Sequence, residues 1–84
     1  MKLYKVWQDE VSGYETFSDM VVCAEDFLQA ASLHPYSKRH PNDNNWSSNS
    51  GSWCTTPEMA HVEYLGEAVA GLSVGVICAS YHAG

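Results

Sequence analysis

A polar stretch without periodicity runs from Tyr36 to Trp53 and separates the two ends of the chain. This stretch limits the folds that the chain can adopt. Asn, Ser, Asp, Pro and Gly dominate the stretch. Connections longer than about 12 to 15 residues without structure of their own are uncommon in compact domains and tend to be functional or disordered. A chain of 84 residues also leaves no room for a second core. The sequence therefore predicts one domain over residues 1–84, with a long polar loop at 36–53.

Short apolar segments on either side of this loop predict four strands. Aromatic and branched residues alternate in the first and third segments, and the second and fourth are short apolar runs with branched residues, both typical of strands. A turn is expected near Ser12-Gly13, between the first two. The predicted strands are Leu3–Gln8, Met20–Ala24, Val62–Leu65 and Val74–Tyr81.

One helix is predicted from about Phe27 to His34. Asp26 fits its N-cap and Gln29 can reach back toward the cap, while Pro35 ends the helix. Its expected sheet-facing residues, by helical spacing, are Phe27, Ala30, Ala31 and His34. Later in the chain, Thr56-Pro57-Glu58 predicts a single helical turn.

This order of elements predicts an α+β fold. We expect a small antiparallel sheet of about four strands, in the order β-β-α-loop-β-β, with one helix packed on a face. So short a helix cannot persist alone, because helix nucleation is costly.

Trp46 and Trp53 are unusual residues for so polar a loop. A Trp there either folds back to cover an open sheet face or stands out as an anchor for a partner. The interpretation for Trp53, which precedes the return of the chain at Cys54-Thr55, is a core plug. For Trp46 both interpretations stay open.

The charge of the chain excludes ordinary nucleic-acid binding. Ten acidic residues face four basic ones, giving a formal net charge of -6. Binding to DNA or RNA relies on Lys and Arg, so direct nucleic-acid binding is not expected. A partner with a basic surface is favoured, although acidity that only keeps the protein soluble explains the same count. Six of the acids lie in the first 26 residues: Asp9, Glu10, Glu15, Asp19, Glu25 and Asp26.

The sequence lacks two features that would direct the chain to a membrane or out of the cytoplasm. No signal-peptide core is present at the N-terminus, and the longest mostly apolar stretch, Ala68 to Ala79, is shorter than the roughly 20 residues that cross a bilayer. We expect a cytoplasmic protein without membrane contact. Cys23, Cys54 and Cys78 form no paired framework and are expected to be free thiols.

Sites for metals and catalysis are weakly indicated. The His and Cys spacing matches no zinc motif, and phosphate-binding glycine loops are absent, so neither a metal nor a cofactor is expected. Cys54 with His40 is the best nucleophile and base that the chain offers, and we expect no enzyme. Lys38 and Arg39 could hold a phosphate, which leaves open a small-ligand or nucleotide-sequestering protein that uses the 36–53 loop.

Several segments together resemble small bacteriophage and prophage proteins. They are the opening MKLYKVWQDEVSGYETFSDMVVCAEDF, the helix end ASLHP, the element TPEMAHVEYLGEA and the closing VGVICASYHAG. The resemblance implies expression in the cytoplasm of a host bacterium. It also implies a role that recurs among such acidic proteins, the inhibition of host defences, including CRISPR effector complexes.

Resemblance and charge lead to one functional expectation. The chain is expected to be a non-enzymatic, anti-CRISPR-like inhibitor that binds a basic surface of a host protein and blocks nucleic-acid access. Unpaired sheet edges also allow a homodimer. The expected partner-binding residues are Asp9, Glu10, Glu15, Asp19 and Trp46.

Overall fold

A computed structural model describes residues 1–35 and 52–82 of the chain. Within these residues, four strands form one antiparallel sheet that is accompanied by a short α-helix and a 3-10 turn, which confirms the α+β class. The elements are β1 Lys2–Trp7, β2 Thr16–Ala24, α1 Phe27–Ser32, the 3-10 turn Pro57–Met59, β3 His61–Glu67 and β4 Gly75–His82.

The strands lie in the order β3-β1-β2-β4, so the β1–β2 hairpin forms the centre of the sheet. Every neighbouring pair is antiparallel. The connection from β3 to β4 therefore passes from one edge of the sheet to the other. Its Ala68 amide donates to the Met1 carbonyl at 3.1 Å, which holds this crossing against the start of β1.

The core lies on one face of this sheet. Alternate residues of the two central strands point into it, with Tyr4 opposite Val22 and Val6 opposite Met20. All four are at most 1% exposed. The alternation in β1 follows from the period-2 geometry of a strand and was readable in the sequence.

Trp53 completes this core, as predicted for a plug. It is fully buried, together with Cys54, against the side chains of the core face. The Phe17 amide donates to the Ser52 carbonyl at 2.8 Å, so the end of the predicted loop is anchored on β2. Ser52 and Trp53 thus belong to the core, and the rest of the predicted loop lies outside the described residues.

The helix α1 begins as the sequence predicts and ends earlier. Asp26 caps it by accepting the Gln29 amide at 2.8 Å, while the Gln29 side chain accepts the amide of Glu25, one residue before the cap. The helix ends at Ser32, two residues before the predicted end. Leu33 is already extended, and Pro35 disfavours helical geometry at His34, the residue directly before it.

The strand boundaries differ from the predictions by one or two residues at both ends of β1, β3 and β4, and by four residues at the start of β2. β2 begins at Thr16 and not at Met20, since Thr16 and Phe17 pair with the end of β4. β1 ends at Trp7, and Gln8 instead turns its side chain into the following loop. Phe27 was expected to face the sheet, and its ring lies 5.0 Å from that of Tyr4 on the core face, although the residue is 53% exposed.

His34 makes stability sensitive to acid. It is buried, and this burial lowers the pKa of its imidazole from 6.5 to about 4. Between these two pH values His34 is protonated in the unfolded chain but not in the folded chain. The free energy of unfolding therefore has its full value above about pH 6.5 and falls toward pH 4. At about 1.4 kcal/mol per pH unit, about 2 kcal/mol should be lost by pH 5.

Urea unfolding at pH 7 and pH 5 checks this dependence. The variant His34→Asn cannot take up this proton, so its stability should fall less between the two values than that of the unchanged chain. Equal losses in both proteins would contradict the assignment to His34.

Candidate functional site

The four acids predicted to bind a partner lie at one end of the sheet. Trp7, the last residue of β1, stands opposite Asp19 of β2 and His61 of β3. The amide of Glu15 donates to the carbonyl of His82, the last residue of β4. We call this region the hairpin end and define it as residues 8–15 with Asp19, Thr55, His61, Ser80 and His82.

Gln8 holds the hairpin end together from inside. Its side chain is 6% exposed. Its amide nitrogen donates to the carbonyls of Val11 at 2.8 Å and Phe17 at 2.9 Å. Its oxygen accepts the amides of Glu10 at 2.8 Å and Val11 at 2.9 Å. One buried side chain thereby fixes the path of the loop that carries the acids.

The Glu10 carboxylate is tied to a segment far away in sequence. It accepts the Thr55 amide at 2.8 Å and the Thr55 hydroxyl at 3.1 Å. Both donors are neutral, so the carboxylate keeps its full negative charge while its position is fixed. Glu10 therefore has a structural role in addition to the predicted binding role.

Asp9 is the more accessible acid of this pair. Its side chain is 82% exposed, and its carboxylate lies 3.7 Å from Nε2 of His61. His61 in turn stacks on Trp7, with ring centroids 5.4 Å apart. An exposed pair at this distance contributes little to stability, so the Asp9 carboxylate stays available to another cation.

Glu15 and Tyr14 project from the hairpin loop. Tyr14 is 80% exposed, the most exposed aromatic residue in the described part of the chain. Glu15 has a φ of 61°, the left-handed region that costs a residue with a Cβ roughly 1–2 kcal/mol. Folding alone favours Gly or Asn at such a position, and strain of this kind concentrates at functional sites.

Replacing Glu15 with Gly should therefore stabilise the protein. We expect the free energy of unfolding to rise by about 0.5–1 kcal/mol, since relief of the strain exceeds the entropy that Gly costs. The control Glu15→Ala removes the charge but keeps the Cβ, and should show no such gain. Urea denaturation compares the three proteins, and equal stability of the Gly and Ala variants would contradict strain at this position.

A cleft of about 240 Å³ opens beside these residues. Its lining includes one acidic residue and three residues with hydroxyl groups, whose oxygens can accept hydrogen bonds from a Lys or Arg side chain. The lining residues are Gln8, Asp9, Val11, Ser12, Gly13, Thr16, Ser18 and His82.

The hairpin end carries negative charge with little compensation. Among the described residues the only Lys and Arg side chains are Lys2 and Lys5. Lys2 stands opposite Ala24 at the other end of the sheet, and Lys5 lies in mid-strand opposite Val21 and Glu63. The four acids therefore share one end of the molecule, and the described Lys or Arg side chain that approaches it is Lys5, whose Nζ lies 5.6 Å from the ring centroid of Trp7.

Other predicted residues fall outside this arrangement. Trp46, Lys38, Arg39 and His40 lie outside the described residues. Sequence reasoning missed Tyr14, whose position between Gly13 and Glu15 in a predicted turn was the signal for exposure. It also missed His61 and His82, because their neighbours at the hairpin end are set by strand pairing.

Cys54 does not have the properties of an activated nucleophile. Burial, together with the nearby charge of Glu10, raises the pKa of its thiol to about 11. The thiol donates to the Thr56 carbonyl at 3.5 Å and remains protonated at neutral pH. Within residues 1–35 and 52–82, no group of three or more His, Cys, Asp or Glu side chains is placed to hold a metal ion.

No helix in the described part of the chain has the length and apolar character needed to span a membrane. Comparisons with protein-family models, with curated proteins and with solved structures found no match. The geometry of the hairpin end is therefore the main basis for a functional hypothesis.

Proposed function

We propose that this protein is a non-enzymatic inhibitor that binds a basic surface of a bacterial defence effector through its hairpin end. The observation that carries the proposal is the shared location of four acids, Asp9, Glu10, Glu15 and Asp19, which Lys5 alone approaches among the described Lys and Arg side chains. A surface with charges of one sign raises the association rate with an oppositely charged partner and disfavours binding to a partner of like charge.

The contact combines charge with an aromatic anchor. Asp9 and Glu15 are exposed and can pair with Lys or Arg of the partner, while Glu10 is held in place by Thr55. Tyr14 offers a large ring at the tip of the loop, and Tyr is enriched among the residues that dominate binding energy. The cleft beside Asp9 is suited to receive one basic side chain of the partner.

Inhibition follows from occupation of a nucleic-acid channel. CRISPR effectors hold guide and target strands in positively charged channels, and an acidic domain in such a channel excludes the target. The origin in a bacteriophage, the site of action in the host cytoplasm and the CRISPR effector as partner rest on the resemblance of the sequence segments. The choice of a basic protein surface rests on the charges of the hairpin end.

Single charge reversals at the hairpin end test the proposal. Asp9→Lys and Glu15→Lys should each slow association with the effector about tenfold at low ionic strength, because steering is lost. Glu25→Lys, at the opposite end of the sheet, changes the net charge equally and should leave association nearly unchanged. The measurement is the binding of labelled target DNA by a panel of purified CRISPR effector complexes, with and without each variant.

Thermal unfolding of the same variants separates binding from folding. Asp9 and Glu15 are exposed, so the free energies of unfolding of the Asp9→Lys and Glu15→Lys variants should stay within about 0.5 kcal/mol of that of the unchanged chain. Full DNA binding by every effector at saturating inhibitor would refute the CRISPR partner. Equal effects of Glu25→Lys and the hairpin-end variants would refute the hairpin end as the contact.

A further inference from the structure

The core face of the sheet is incompletely covered on the side of β3. Tyr64 stands opposite Tyr4 on that face, with ring centroids 5.9 Å apart, yet Tyr64 is 47% exposed whereas Tyr4 is 1% exposed. A core-facing aromatic residue is therefore open to solvent beside a buried one.

The length of α1 explains this opening. Its six residues span about 9 Å at 1.5 Å per residue, and a helix is about 10 Å wide. Four strands spaced about 4.8 Å apart make a sheet about 14 Å across between its outer strands. The helix contacts β1, β2 and β3 but is too short to cover the whole face, which stays open at Tyr64.

Exposed apolar residues also lie on α1, which contacts β3, and on the 3-10 turn, which contacts α1. Phe27 is 53% exposed and packs against Tyr4 at a ring distance of 5.0 Å. Leu28 is 83% exposed on α1, and Met59 is 46% exposed on the 3-10 turn, which contacts α1. We call Phe27, Leu28, Met59 and Tyr64 the helix-side patch. Apolar patches of this kind mark protein-binding sites.

The charges on the same elements indicate which kind of partner fits the helix-side patch. Acids flank the patch at the start of α1, on the 3-10 turn and at the end of β3: Glu25, Asp26, Glu58 and Glu67. Of the two Lys side chains in the described part of the chain, Lys2 is the one near these acids, with Nζ 3.3 Å from the Glu25 carbonyl. A second copy would bring the same acids and a further net charge of -6 against this rim. An apolar surface with basic flanks fits it instead.

We infer that the helix-side patch binds a basic amphipathic helix of a partner protein. Apolar side chains along one face of that helix would cover Phe27 and Tyr64, and its Lys or Arg residues would meet the acidic rim. This site is separate from the hairpin end and does not depend on the function proposed for it.

Designed peptides test the inference on the full chain. The probe is a labelled 18-residue peptide with Leu on one helical face and Lys on the other. One control peptide carries Glu in place of Lys, and a second has the same composition as the probe but shuffled so that Leu occurs all round the helix. Fluorescence anisotropy should show the probe binding at least tenfold more tightly than either control, and more weakly as salt is added.

Variants locate the contact. Phe27→Ser and Leu28→Ser should each weaken probe binding at least tenfold. Val69→Ser is the matched control, because Val69 is an aliphatic residue 72% exposed in the β3–β4 connection. Leu28 makes no core contact, so its variant remains informative even if Phe27→Ser lowers stability. Asp9→Lys and Glu15→Lys should leave probe binding unchanged, which keeps this site distinguishable from the hairpin end.

Three results would overturn the inference. They are equal binding of the shuffled peptide, unchanged probe binding by both Phe27→Ser and Leu28→Ser, and self-association of the free protein through the patch. Sedimentation of the unchanged chain and of Leu28→Ser over a range of concentrations detects the last of these.

Discussion

Replacing Trp53 with Ala should remove about 3–5 kcal/mol from the free energy of unfolding. Trp53 is fully buried and is the largest side chain in the core. Truncation of a buried Trp to Ala costs about 3–5 kcal/mol, because the transferred area is lost and a cavity remains. A domain of 84 residues has a total stability of only about 4–13 kcal/mol. The loss is therefore comparable with the whole free energy of unfolding.

Urea unfolding followed by circular dichroism measures this loss. Trp53→Phe keeps most of the apolar volume and should cost less than half as much as the Ala variant. Trp7→Ala provides the contrast, since Trp7 is only half-buried and stacks on His61 at the hairpin end. A cost for Trp53→Ala no greater than that for Trp7→Ala would show that Trp53 is not the central core residue.

Local sequence signals predicted the parts of the fold that short-range physics controls. Alternation in the first segment predicted a strand, and in β1 the alternate residues Tyr4 and Val6 are both buried. Asp26 was identified as the helix cap from residue type alone, and it accepts the Gln29 amide. Trp53 was assigned to the core because so large a ring in a polar segment needs apolar surroundings.

Contacts between distant parts of the chain could not be predicted in this way. β2 extends to Thr16 only because Phe17 and Thr16 have partners on β4 and at Ser52. The helix stops at Ser32, two residues short of the length that its apolar spacing allowed. No local pattern carries the order of strands in a sheet, since it depends on which segments meet after collapse.

The candidate site also combines features that the sequence predicted with features that depend on contacts between distant residues. The acids of the hairpin end were found by counting charge, which needs no structure. Their fixed positions depend on a long-range bond from Thr55 to Glu10 and on strand pairing that brings His61 and His82 nearby. The left-handed conformation of Glu15 could not be predicted from the sequence either, because residues with a Cβ rarely adopt a positive φ.

Gln8 connects the fold to this site, and its replacement by Leu should release the hairpin loop. Leu has a similar size but makes none of the four hydrogen bonds of the Gln8 side chain. Each such bond contributes about 0.5–1.5 kcal/mol, and buried partners left without one add to the cost, so we expect a loss of about 2–4 kcal/mol. The amides of Glu10 and Val11 should then exchange with solvent at least tenfold faster.

Hydrogen exchange measured by NMR resolves the effect residue by residue and shows why this side chain controls the site. Gln8→Glu keeps the oxygen that accepts the Glu10 and Val11 amides but loses both donated bonds, so these two amides should stay better protected than in Gln8→Leu. Gln29→Ala removes one exposed bond, to the Glu25 amide, and should leave the hairpin end unaffected. If Gln8→Leu unfolds the chain only globally, with uniform acceleration of exchange in every strand, then Gln8 supports the whole sheet. Selective acceleration at Glu10 and Val11 would instead show that one buried amide fixes the positions of the acids independently of the core.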